Sequence, residues 1–183
     1  MHNLEDFEKI LISEEEIQVA VCRMADEISR DYAGKNLVLL GILKGSVVFM
    51  GDLMKRIGIP VQIDFMKVSS YGGGTVSKGL VDIILDIRRK DLNKCDILIV
   101  EDIIDSGKTL SYLSKYLLDK GARSVKTCTM LDKPSRREVD FVPDYSGFEI
   151  PDEFVVGYGL DYAENYRALP FVAILKRCMY ENK

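Results

Sequence analysis

The sequence contains one histidine, His2, and no tryptophan. A mechanism that needs a buried histidine base is therefore disfavoured, and Asp, Glu, Lys and Tyr must carry whatever chemistry there is. The four cysteines, Cys22, Cys95, Cys128 and Cys178, are scattered and form no Cys-x-x-Cys pair. This argues against a zinc site or a disulfide framework and for reduced thiols in a cytoplasmic setting. No apolar run approaches the ~20 residues needed to span a bilayer. The stretch Met1 to Asp6 is acidic and lacks the basic and apolar regions of a secretion signal. Excess positive charge is missing too: 25 Lys and Arg against 29 Asp and Glu give a net charge of -4. A general nucleic-acid binder would need a basic face, so neither nucleic acid nor membrane is an expected partner. Internal repeats, low-complexity tracts and domain boundaries are also missing. A single domain over residues 1–183 is expected.

What is present is ordinary for a globular chain, 47% hydrophobic and 30% charged. Ser13 with Glu16 forms a capping-box pattern. Behind it Ile17, Ala20, Val21, Met24 and Ile28 recur at helical spacing, predicting a helix over about residues 14–32 with Gly34 closing it. Leu37 to Leu43 is apolar without alternation, the mark of a strand covered on both faces in a parallel sheet. Residues 46–57 read as a helix, and Val61, Ile63 and Phe65 alternate as a strand. Residues 69–78 hold three consecutive glycines, which leave the backbone too free for a regular element. A hairpin tip and a mobile lid fit that stretch equally well. Further strands are expected over Leu80 to Ile87, Asp96 to Val100 and around Val125, Thr127 and Thr129, with a helix from Gly107 to Lys120 capped by Gly121. Late strands are expected near Phe154 to Val156 and Phe171 to Leu175. Strands alternating with helices predict an α/β fold with a central, mostly parallel sheet flanked by helices.

The richest segment is Val100-Glu101-Asp102-Ile103-Ile104-Asp105-Ser106-Gly107-Lys108-Thr109. A buried strand gives way to two adjacent carboxylates, then to a short hydroxyl-rich loop that opens a helix. A helix N-terminus offers unpaired N–H groups and partial positive charge, which suit a phosphate. Gly107 permits close approach, and Ser106 and Thr109 add hydroxyl donors. Glu101 and Asp102 are suited to a ribose diol or to Mg²⁺ held through its water shell. Gly107-Lys108-Thr109 also looks like the tail of a Walker A loop. That pattern needs a glycine six residues before its lysine, and Asp102 stands there, so the nucleoside-triphosphatase reading fails. The residues alone reach a phosphorylated ligand and no further.

The same segment resembles the phosphoribosyl pyrophosphate signature of type I phosphoribosyltransferases, most of all the hypoxanthine-guanine branch. The resemblance runs from about Leu37 to Leu175 through several motifs in order. It implies the type I fold, with a small hood built from terminal segments. It implies Mg²⁺-dependent transfer of the phosphoribosyl group from phosphoribosyl pyrophosphate to a 6-oxopurine. Asp105 would act at the purine N7, and Glu101, Asp102 and Asp105 to Thr109 would hold the phosphoribose. Leu43-Lys44-Gly45-Ser46 matches the pyrophosphate loop, often found beside a non-proline cis peptide. Ser70 and Tyr71 match the start of the lid, and Arg167 matches a further pyrophosphate contact. Lys133 matches the residue that donates to the purine 6-oxo group. Phe154 and Val155 match the stacking platform and the edge reader, and Asp161 matches a carboxylate of the base pocket. Glu101, Asp102 and Asp161 are the metal ligands so implied. Homodimers or homotetramers are the usual assembly. Asp86-Ile87-Arg88-Arg89-Lys90 departs from the family pattern, being basic where an acidic run is common.

Overall fold

The computed structural model describes residues 4–70 and 81–181. The first strand, β1 (Phe7–Ile12), leads into α1 (Glu14–Asp31). Ser13 caps α1 as expected: its hydroxyl accepts from the Glu16 N–H and the Glu16 carboxylate accepts from the Ser13 N–H. Then come β2 (Leu37–Leu43), α2 (Ser46–Arg56), β3 (Val61–Ser70), β4 (Val81–Leu85), β5 (Asp96–Ile104) and α3 (Lys108–Asp119). The chain continues through β6 (Ser124–Asp132), β7 (Tyr145–Glu149), β8 (Val155–Val156) and β9 (Val172–Leu175).

Among the described residues the main sheet runs in the order β4-β3-β2-β5-β6-β7. Its pairs are parallel except β3 with β4. The unbroken apolar run of β2 follows from this geometry. Leu37 and Leu39 pack against α1 and α2, whereas Val38, Leu40 and Ile42 pack with Leu110, Leu113 and Leu117 of α3. A second, small sheet joins β1, β9 and β8 in that order, all antiparallel. It is the expected hood, made from the two ends of the chain.

Four details differ from the sequence expectation. The strand expected to end at Val100 continues through both carboxylates to Ile104, because β6 keeps pairing with it up to Ile104 and Asp132. Strand β4 ends at Leu85, short of Ile87, and Leu80 lies outside the described residues. The C-cap of α1 is Tyr32, and Gly34 lies beyond it in a left-handed turn with φ of 74°. Strands β1 and β7 were not anticipated. In β1, Phe7 and Ile12 are buried and the residues between are exposed or half-buried, so no period of two appears. Of the glycine-rich stretch, Ser69 and Ser70 end β3, while Tyr71 and the rest of the expected lid lie outside the described residues.

Candidate active site

The paired carboxylates sit near the C-terminal end of β5, where ligands gather in open α/β sheets. Asp102 follows Leu98 and Val100 onto the α2 side. It is buried, and its Oδ2 occupies the space beside Gly45, where an added Cβ would lie only 1.5 Å away. Gly45 in turn presents its carbonyl to Gly159, whose own Cβ would meet it at 2.0 Å. Asp102, the Lys44-Gly45 loop and the segment after β8 are thus stacked in contact. Glu101 lines a cavity of about 270 Å³ with Asp105, Ser106, Gly107 and Thr109, and its carboxyl lies beside that of Asp102. Its Oε2 is buried without a hydrogen-bond partner. Burial first, and the neighbouring Asp102 second, push the Glu101 carboxyl well above the usual range; burial also raises Asp102.

The cavity ends on the N-terminus of α3. Gly107 takes φ of 78°, which glycine accepts without strain, and an added Cβ would press on Arg137 Cδ at 2.9 Å. The loop is fastened from β6 and the turn behind it. Lys133 N–H donates to the Ile104 carbonyl and Glu138 N–H to the Ser106 carbonyl, both at 3.0 Å. Arg137 donates to the Asp105 carbonyl and pairs with the buried Asp132. Lys108, expected at the phosphate, lies outside the cavity lining and pairs with Glu138.

A second cavity, of about 470 Å³, adjoins the first and shares Ile103 and Asp105 with it. Lys133, Phe154, Val155 and Tyr180 line it as well. Lys133 is buried; its Nζ donates to the Glu153 carbonyl at 2.7 Å and stands 3.8 Å from Asp105 Oδ1. Arg136, which the sequence reading passed over, comes within 4.0 Å of the same oxygen and is held at its other end by Asp152. The run Lys133-Pro134-Ser135-Arg136-Arg137 carried a signal, three cations in five residues.

The expected pyrophosphate group assembles at the stacked loop. The Leu43-Lys44 peptide is cis, as the resemblance implied. Lys44 Nζ lies 2.8 Å from Glu164 Oε1, and Arg167 donates to Glu164 Oε2 at 3.5 Å, to Gly159 O at 2.8 Å and to Asp161 at 2.7 Å. Glu164, missed in the sequence, thus bridges both cations, and Lys44 foremost holds its carboxyl below the usual value. Tyr158, Ala163, Glu164 and Tyr166 all have positive φ, and such strain gathers at functional segments.

Residues 10–163 match the family described as phosphoribosyl transferase domain. The chain belongs to that family. Similar proteins agree with this assignment. The chain is 52% identical over 177 residues to the hypoxanthine-guanine phosphoribosyltransferase of Bacillus subtilis, covering 97% of this chain and 98% of that protein. It is 51% identical to the bifunctional protein TilS/HprT of Listeria monocytogenes serotype 4b, covering 98% of this chain but only 27% of the relative's length. A crystal structure of a hypoxanthine phosphoribosyltransferase from Staphylococcus aureus superposes with a TM-score of 0.92 at 49% identity, covering 97% of this chain and 96% of the other. The fold is that of the type I phosphoribosyl transferases.

Among the described residues no three His, Cys, Asp or Glu side chains cluster as a metal cage. Glu101 and Asp102, expected at one Mg²⁺, have neighbouring carboxyls, whereas Asp161, expected at a second, is taken up by Arg167 and the Glu164 N–H. The site still fits Mg²⁺, which keeps most of its waters and needs only one or two carboxylates beside substrate phosphates. The unpartnered Oε2 of Glu101 is the observation that supports the fit.

Proposed function

We propose that this chain is a purine-salvage enzyme that transfers the 5-phosphoribosyl group from phosphoribosyl pyrophosphate to hypoxanthine or guanine, giving IMP or GMP and pyrophosphate. The observation that carries the reading is the pair of adjoining cavities that share Asp105. One is lined by a helix N-terminus, hydroxyls and a carboxylate, as a ribose phosphate requires. The other is lined by a buried lysine and a phenylalanine, as a 6-oxopurine requires. The bond between sugar and base then forms where the two meet, beside Asp105.

The roles follow from position. Ser106, Gly107 and Thr109 with the α3 N-terminus receive the 5′-phosphate, and Lys108 adds charge from outside. Glu101 accepts from the ribose hydroxyls or from metal-bound water, while Asp102 holds the Gly45 loop. Lys44, Gly45 and Arg167, with Ser70 and Tyr71 of the lid, stabilise the departing pyrophosphate and exclude water from the ribosyl cation. Lys133 has donors only and so favours a 6-oxo acceptor over an amino group. Phe154 offers its ring and Val155 its backbone to the base, beside Asp161. Asp105 accepts a hydrogen bond from purine N7 and stabilises the charge that develops there. Glu101, together with the substrate, would hold Mg²⁺, which would supply charge neutralisation for the leaving group.

Free thiols at Cys22, Cys95, Cys128 and Cys178 support a reducing, cytoplasmic setting. A homodimer or homotetramer is supported by the exposed apolar side chains of Val47, Met54, Ile63 and Ile84. The test of the reaction is a panel of hypoxanthine, guanine, xanthine and adenine with phosphoribosyl pyrophosphate and Mg²⁺, following nucleotide formation. Product from hypoxanthine or guanine supports the reading, and no product from either overturns it.

A further inference from the structure

The base cavity has a wall that neither the motifs nor the roles above account for. Tyr180, past the last strand, stacks on Phe154 with ring centroids 4.7 Å apart and planes 24° apart. Tyr162 meets the edge of Phe154 at 5.8 Å and 86°, and lies 6.4 Å from Tyr180. Tyr180 itself lines the cavity with Ile103 and Lys133, and about 470 Å³ remains open there, so its ring does not fill the space. The segment is anchored to the hood. Leu175 N–H donates to the Phe154 carbonyl at 2.9 Å, Lys176 N–H to Asp6 at 3.0 Å, and Tyr180 N–H to Arg177 at 3.1 Å. Met179 and Tyr180 pack against the cluster around Phe7 and Leu175.

Phe154 is 39% exposed, and a ring that free would sample several rotamers. With one face covered by Tyr180 and its edge met by Tyr162, a single face is left for a planar ligand. We propose that Tyr180 is a positioning residue for the base, holding Phe154 so that its open face is already aligned for a stacked 6-oxopurine. This rests on the salvage reading above and deepens it, since it names what sets base affinity at that site. The physical basis is pre-organisation: fixing a side chain before binding removes its ordering cost from the binding step. The interaction requires an aromatic ring and does not use the hydroxyl.

Steady-state kinetics with hypoxanthine and phosphoribosyl pyrophosphate varied separately test this. Tyr180→Leu should raise the KM for the base about three- to ten-fold, the range expected for ordering one side chain. The KM for phosphoribosyl pyrophosphate should stay put, and Tyr180→Phe should restore the base KM. In a Phe154→Leu background, Tyr180→Leu should add nothing further, because the ring it aligns is gone. If Tyr180→Leu does not fold, Tyr180→Gln removes the ring equally well. The inference falls if the base KM is unmoved, if both KM values rise together, or if the two substitutions add independently. A parent chain that makes no nucleotide from either base sinks the salvage reading instead.

Discussion

Gly45→Ala and Gly51→Ala add the same methyl group just before and within α2 and should have opposite effects. Gly45 has φ of -61° and ψ of -38°, a conformation alanine adopts freely, so any cost is steric. The added Cβ would lie 1.5 Å from Asp102 Oδ2 and 2.6 Å from its Cγ. Asp102 cannot swing aside cheaply, since it is buried and its Oδ1 accepts the Ile103 N–H at 2.8 Å. Overpacking of this kind costs about 1–3 kcal/mol. At this chain length each kcal/mol shifts Tm by about 2–4 °C. Displacing the loop that carries Lys44 should also lower kcat/KM for phosphoribosyl pyrophosphate, by about a hundred-fold for a shift near 1 Å. At Gly51, inside α2, an added Cβ meets nothing within 4 Å. Alanine there should stabilise by about 0.5–1 kcal/mol through helix preference alone, leaving kinetics unchanged. Thermal melts and initial rates of both variants against the parent decide the matter. A Gly45→Ala protein that melts no lower and turns over normally refutes the stacked arrangement of Asp102 on the loop.

Asp105→Asn should lower kcat by about 10²–10⁴-fold while phosphoribosyl pyrophosphate binding persists, and near-normal turnover would remove Asp105 from the reaction. Glu101→Gln should stabilise the ligand-free protein at neutral pH. The folded pKa lies above the unfolded one, so burial is free of charge cost below about pH 4 and grows costly as pH rises past the ordinary carboxylate range. Melting curves should therefore show a gain for Glu101→Gln at neutral pH that vanishes in acid, together with a raised Mg²⁺ requirement in the assay. An equal gain at both pH values would count against the buried charge. Glu164→Gln frees Lys44 and Arg167 from a competing carboxylate, so pyrophosphate should inhibit a few-fold more strongly at low salt and less so at high salt. Unchanged inhibition would show that Glu164 does not compete.

The parts of the fold read well from sequence were those whose signals are local. The capping box at Ser13, the doubly buried run of β2 and the hydroxyl loop before α3 each announce themselves within a few residues. The carboxylate pair was legible as chemistry but not as geometry. Near the end of β5 Asp102 packs on the Gly45 loop while Glu101 lines the cavity beside it, and that became visible once the strand was seen to continue past both. Residues whose role depends on distant packing left little trace. Arg137 matters because it reaches back to the Asp105 carbonyl, Glu164 because a left-handed turn delivers it between two cations, and Tyr180 because the hood carries it to Phe154. Strand β1 was missed since its partner, β9, lies at the far end of the chain.

That pairing of β1 with β9 has a consequence for how the molecule comes into being. The first cavity is lined from the end of β5 and the start of α3, which precede β8 and β9 in the chain. Much of the wall against which a base would lie is made of β8 and the residues after β9, in the small sheet that β1 closes. During translation β1 must wait, unpaired, until β9 has emerged. The loop before α3 is therefore made well before the segment that carries Phe154 and Tyr180.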